Sequence, residues 1–167
     1  CGVVGYVGPR QAATLLLDGL RRMEYRGYDS AGIAVINGTG LKIHKAAGKL
    51  SNLEKQVAGN LPTGTVGIDH TRWATHGAPT TPNAHPHTDQ SGRIALIHNG
   101  IIENAGSIRK ALLQRGHTFT SETDTEVLAH LIADQLAVGI DLADAVRAVI
   151  AMTVGAYSLV AISRGEP

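Results

Sequence analysis

Two β-like runs, Ala31–Ile36 and Leu41–Lys45, flank the segment Asn37-Gly-Thr-Gly40, a turn composition that commits its neighbours to antiparallel pairing. The remainder of the chain must supply layers that bury this hairpin. Gly2–Gly8 is a further β-like run punctuated by glycine, and Pro9 stands where a helix could start. Ala13, Leu16, Leu17, Leu20 and Met23 then recur at helical spacing. Arg21, Arg22 and Arg26 lie near the C-terminal end of that stripe, where cations complement the helix dipole. Lys49–Ala58 reads as a short helix, and Thr65–Asp69 and Arg93–His98 read as strands. Between these strands, Trp73–Gly92 is polar and holds three prolines; a loop of that length is functional or disordered.

Three helical patterns follow. Asn104–Gln114 is closed by Gly116; Thr123 to about Val138 begins with Thr123 and Glu126 spaced as a capping box; Asp141–Ala151 carries one apolar face. Ala156–Ile162 reads as a buried strand with no later strand to pair with, so it is either an edge or part of an incomplete fold. Hairpins mixed with helix pairs predict an α+β chain, with helices and strands layered around a largely antiparallel sheet. With one Trp, one Phe and four Tyr, its core must be aliphatic and Ala-rich. At 167 residues the chain suits one domain with a substantial core.

Composition excludes several roles. A net charge of +1 leaves no electrostatic footprint for nucleic acid or an acidic membrane surface. Apolar runs such as Ala156–Ile162 fall well short of the ~20 residues that span a bilayer. No basic, apolar secretory signal opens the chain. The single cysteine cannot form an intramolecular disulfide. The expectation is a globular domain in the cytoplasm.

That cysteine is residue 1. An N-terminal cysteine joins a thiol of reference pKa about 8.5 to an α-amine of about 7.7–8.0, so the amine can take the thiol proton without a separate histidine. A Cys at position 1 also implies removal of an initiator Met. Read alone, Cys1 is equally the point where the chain begins, or a small residue opening a strand. Arg72, in His70-Thr-Arg-Trp-Ala-Thr-His-Gly77, suits a carboxylate through two parallel hydrogen bonds, or a surface salt bridge from mid-loop. Thr75 and the backbone after it add neutral donors. Trp73 could cover a small cavity as a lid or anchor the core. Asn99-Gly100 is a turn signal, and it is also the pair of neutral donors an oxyanion site needs. Asp124 in Ser121-Glu-Thr-Asp-Thr-Glu126 stabilises a helix start, or binds an ammonium group. Five of the eight histidines fall between His70 and His98. They lack metal-ligand spacing and read as hydrogen-bonded side chains, so no metal is expected. Only together do an arginine, an aspartate and a cysteine describe a site for an amino acid.

Six blocks, Cys1–Gly5, Leu20–Gly32, His70–Gly77, Asn83–His87, His98–Asn104 and Ser121–Glu126, resemble the glutaminase domain of the glucosamine-6-phosphate synthase family. These are class II, N-terminal-nucleophile amidotransferases. The resemblance runs from end to end of the chain. It implies a four-layer αββα sandwich of mainly antiparallel sheets, with residues 1–167 forming a glutaminase domain that is incomplete at its C-terminus and lacks the sugar-phosphate isomerase domain. It implies that Cys1 attacks the L-glutamine carboxamide to give a γ-glutamyl thioester, that Asn99 and Gly100 form the oxyanion hole, and that Arg26 supports the nucleophile. Arg72, Thr75 and His76 would hold the substrate carboxylate, Gly100 and Asp124 its amino group, and Trp73 would belong to the closing loop. No cofactor is implied. The partners implied are glutamine and, in the full enzyme, a homodimer whose isomerase domain binds fructose 6-phosphate. Alternatives are another class II amidotransferase and an inactive fragment; a metal-dependent hydrolase is disfavoured.

Overall fold

The computed structural model describes residues 1–38, 40–75 and 77–166. Two antiparallel sheets lie face to face. The first has the order β1-β4-β2-β3, built from β1 (Gly2–Val7), β2 (Ser30–Asn37), β3 (Gly40–Ala47) and β4 (Val66–Arg72). The second has the order β5-β6-β7, from β5 (His87–Thr88), β6 (Ile94–Gly100) and β7 (Tyr157–Ser163). Helices α1 (Ala12–Met23) and α2 (Leu50–Val57) cover the outer face of the first sheet. Helices α3 (Ala105–Gln114), α4 (Glu126–Ala137) and α5 (Leu142–Met152) cover that of the second. The result is the expected αββα sandwich.

Three apolar clusters hold the layers, and strand alternation explains each. On β2, Ile33 and Val35 pack outward on Leu16, Leu20 and Leu53 of α1 and α2, while Ala34 and Ile36 point inward. On β4, Val66 and Ile68 join Ala34, Ala95 and Ile97 between the sheets. On β6, Ile94 and Leu96 turn the other way, onto Val127, Leu128 and Ile132 of α4. These residues are aliphatic and almost wholly buried. The same alternation sends His70, Arg72 and Asn99 into the space between the sheets, at the end where apolar filling stops.

The hairpin forms as expected, with Asn37 opposite Gly40. Several boundaries move. β4 runs on through His70, Thr71 and Arg72 because β1 and β2 pair with it from both sides. β6 likewise includes Asn99 and Gly100, which pair with Ser158 and Tyr157 rather than forming a turn. The segment 73–92 is not a surface loop throughout: Asn83, Ala84, His85 and His87 are buried and β5 pairs with β6. α4 starts at Glu126, and no capping box forms. Thr123 is engaged elsewhere, and the Glu126 carboxylate accepts from the backbone N–H groups of Thr120 and Ser121 instead. β7 pairs with β6 along its whole length and is half-buried, not fully buried. Its other edge has no strand partner among the described residues.

Candidate active site

Cys1 sits just before β1 and is fastened at both ends. Its α-amine donates to the Arg26 carbonyl at 2.6 Å, and the Arg26 Nε donates to the Cys1 carbonyl at 3.0 Å. The next residue, Gly2, donates its N–H to Thr71 Oγ1 at 3.1 Å. The Trp73 N–H approaches Cys1 Sγ at 3.1 Å, a donor placed to favour a thiolate. Partial burial lowers the α-amine pKa below its ordinary 8.0; Arg26 adds to this and Asp29 opposes it. The bond to the Arg26 carbonyl can be donated by either protonation state, so the amine can cycle between them without losing its anchor.

A cavity of about 220 Å³ opens beside Cys1. It is lined by Arg72, Trp73, Thr75, Asn99, Gly100 and Asp124, which the sequence singled out, and by His85, His98, Ile101, Thr123 and Thr125, which it did not. Arg26 lies outside the lining and is hydrogen-bonded to Cys1 through both its side chain and its carbonyl. His76 falls outside the described residues. Trp73 is 53% exposed and meets Tyr28 edge to face at 5.7 Å, so it stands at the mouth and anchors no core.

Arg72 is not a surface loop residue: it ends β4 and is 3% exposed. Its two terminal nitrogens donate to the carbonyls of Ala78 at 3.1 Å and Gly77 at 3.2 Å. Burial lowers its pKa, with Asp29 and Asp124 acting in the opposite sense; an arginine so placed remains a cation. Asp124 is 9% exposed, and its Oδ2 accepts from the Ile102 N–H at 2.9 Å. One cation and one anion therefore border a cavity large enough for a single small zwitterion.

Asn99 and Gly100 close the other side. Gly100 has φ of +122°, and a Cβ there would lie 2.3 Å from the Ala156 carbonyl oxygen, so no other residue fits this strand end. Asn99 Oδ1 lies 2.6 Å from His70 Nε2. His70 is entirely buried, which pulls its pKa down to about 3 despite the hydrogen bond with Asn99.

His70, His85, His87 and His98 make a buried row beside the site. Ring centroids of His70 and His85 are 4.2 Å apart, and those of His85 and His87 4.8 Å. Burial pushes His85 and His87 well below the ordinary imidazole pKa. The Thr125 hydroxyl bridges His85 Nε2 at 2.8 Å and His98 Nδ1 at 3.0 Å, and Thr123 Oγ1 meets His87 Nε2 at 3.0 Å. Asn83 ties this segment to both sides of the site: its Nδ2 donates to the Ala78 carbonyl that Arg72 also uses, and its Oδ1 accepts from the Glu122 N–H. Among the described residues, no group of three or more His, Cys, Asp or Glu side chains could hold a metal ion.

Residues 70–166 match the family described as "Glutamine amidotransferase domain". The chain belongs to the glutamine amidotransferase domain family. Among curated relatives, the domain is 60% identical over 160 residues to glutamine–fructose-6-phosphate aminotransferase (isomerizing) of Thermus thermophilus, covering 96% of this chain and 26% of that protein. It is 54% identical to the protein of the same name from Streptomyces coelicolor, covering 100% of this chain and 27% of the relative. The amidotransferase domain thus spans about a quarter of these relatives' length. Among solved structures, it superposes on a glutamine phosphoribosylpyrophosphate amidotransferase from B. subtilis with a TM-score of 0.84 and 31% identity, over 98% of this chain and 35% of that one. An allosteric regulatory enzyme of purine biosynthesis gives 0.85 and 32%, over 98% and 36%. No described helix of the domain is long and apolar enough to cross a membrane.

Sequence reasoning passed over Asp29, whose Oδ2 accepts from the Ala74 N–H at 2.7 Å and holds the loop bearing Trp73 and Thr75. Asp29 lies in the Leu20–Gly32 block, near the end of α1. Sequence reasoning also set aside His85, His98 and Thr125, because a histidine cluster announces polarity without revealing which rings share a cavity wall.

Proposed function

We propose that this domain hydrolyses L-glutamine to glutamate and ammonia, with Cys1 as nucleophile. One observation carries the reading: a thiol joined to an α-amine, the oppositely charged pair Arg72 and Asp124, and the Asn99-Gly100 strand end all border one cavity. In this reading Arg72, Thr75 and His76 bind the α-carboxylate, and Asp124 with the Gly100 backbone binds the α-ammonium. The carboxamide then reaches Cys1. The neutral α-amine takes the thiol proton, Sγ adds to the amide carbon, and Asn99 and the Gly100 N–H bind the resulting oxyanion. The C–N bond breaks as the α-ammonium returns the proton, releasing ammonia and leaving a γ-glutamyl thioester. Water, deprotonated by the same amine, cleaves that thioester to glutamate and restores the thiol. Trp73 at the mouth acts as a lid, and Arg26 holds Cys1 in place.

The names of the relatives support a destination for the ammonia. In a longer protein of that type it would pass to a second domain and aminate fructose 6-phosphate. A reduced Cys1 requires a thiol-preserving compartment, which favours the cytoplasm. The test is glutamate release by the protein with a free N-terminus, with a Met retained ahead of Cys1, and as Cys1→Ala. Both altered forms should be inactive; turnover by either one rejects the N-terminal nucleophile.

A further inference from the structure

The cavity lining stops short of His70, yet His70 makes the shortest side-chain contact to any lining residue on β6. It lies on the inward face of β4, two residues before Arg72, and reaches across the sandwich to Asn99 on the inward face of β6. Its Nδ1 is buried with no hydrogen-bond partner among the described residues. That orphan fixes the tautomer. An unpaired buried N–H is rarer than an unpaired lone pair, so the single hydrogen of the neutral ring belongs on Nε2, which then donates to Asn99 Oδ1. The carboxamide is then oriented too. With its oxygen engaged by β4, the Asn99 nitrogen and its two hydrogens are what remain for the cavity.

We propose that His70 is a positioning residue that sets the Asn99 carboxamide with oxygen toward β4 and nitrogen toward the cavity. The opposite orientation would aim a lone pair at the site and repel a developing oxyanion. The N–H donated to Oδ1 also draws electron density from the amide, which makes the Nδ2 hydrogens better donors. Burial supports the arrangement, because a ring that stays neutral across the working pH range keeps one tautomer throughout. The role rests on the glutaminase reading, but the orientation of Asn99 does not.

The experiment pairs two readouts in His70→Leu, His70→Gln and His70→Asn. The first is the side-chain ¹⁵N amide signal of Asn99 in the protein without substrate. The second is kcat and KM for glutamate release. Gln places its amide nitrogen near the position of the imidazole Nε2, whereas the shorter Asn matches Nδ1. His70→Leu and His70→Asn should shift the Asn99 signal and lower kcat by roughly tenfold to a hundredfold, with KM changed less than twofold. His70→Gln should restore both most of the way. In an Asn99→Ala background, His70→Leu should cost nothing further. An unmoved Asn99 signal overturns the proposal, and so does an equal kcat loss with Asn99 absent. Should His70→Leu fail to fold, the contrast between Gln and Asn decides, and equal behaviour of those two overturns it. Wild-type protein that releases no glutamate rejects the glutaminase reading instead, and the Asn99 signal still judges the orientation.

Discussion

At the scale of single residues, the proposed reaction makes Cys1 depend on its amine as much as on its thiol. Burial beside Arg26 lowers the amine pKa below 8.0, so the neutral base is more abundant near pH 7 than at an ordinary N-terminus. Activity should therefore rise with pH as the ammonium form is lost, and the acid limb of kcat/KM should have its midpoint below 8. A pH–rate profile checks this, and a midpoint above 8 would count against the amine as base. Arg72 offers a second test. Its planar fork is pinned by two carbonyls, a geometry that a lysine cannot reproduce. Arg72→Lys should raise KM for glutamine by about tenfold or more while reducing kcat much less. Steady-state kinetics will separate the two effects.

Strands and helices carry predictions of their own. β6 ends in a conformation only glycine adopts freely, against the Ala156 carbonyl. Gly100→Ala should destabilise the protein by about 1–3 kcal/mol or more, measured by urea denaturation, besides impairing the site. β4 holds a different tension. Asp69 is fully buried toward the α1 side, its carboxylate oxygens have no hydrogen-bond partner among the described residues, and burial raises its pKa well above normal. Below about pH 3.9, folded and unfolded chains both hold the proton and Asp69 contributes no slope. As pH rises beyond that, only the unfolded chain releases it, so stability falls until the folded pKa is passed. Asp69→Asn should remove this slope and raise stability at neutral pH, read from urea midpoints between pH 4 and 8. Glu126 behaves oppositely. Burial raises its pKa, but the His130 ring 3.7 Å away and hydrogen bonds from Ser121 and Thr120 outweigh this and hold it down to about 2. Its contribution is present above about pH 4.3 and lost as pH falls toward 2.

Over the whole molecule, protection should follow strand position. β4 is bonded on both sides and wrapped by two cores, whereas one edge of β7 has no strand partner among the described residues. Hydrogen exchange should be slowest in β4 and β2 and markedly faster at the outward amides of β7; uniform protection would contradict this ordering. The layers were legible in the sequence because apolar spacing states which face is buried: Leu16, Leu17 and Leu20 announced α1, and the Asn37–Gly40 turn announced its hairpin. Strand ends were not legible. His70, Arg72 and Asn99 are polar, so they read as loop, and only pairing with β1, β2 and β7 draws them into the sheets. Buried polar groups were invisible for a related reason. Nothing in local spacing tells that Asn83 and His85 dive inward, since their partners Glu122 and Thr125 lie about forty residues away. Cys1, Arg72, Asn99 and Asp124 stood out because their chemistry is complementary, and they line one cavity, while the residues around them act through distant contacts that periodicity does not encode.

The clamp on Cys1 has a consequence in time. Cys1 is synthesised before the groups around it, among them Arg26, Trp73, Asn99 and Asp124. At about 5–20 residues per second, roughly 6–25 s separate synthesis of the nucleophile from synthesis of the aspartate across the cavity. Throughout that interval a nascent chain carries its thiol without a place to bind the substrate it will cleave. If the proposed reaction holds, an unfinished copy therefore carries the thiol before it has a complete place for glutamine.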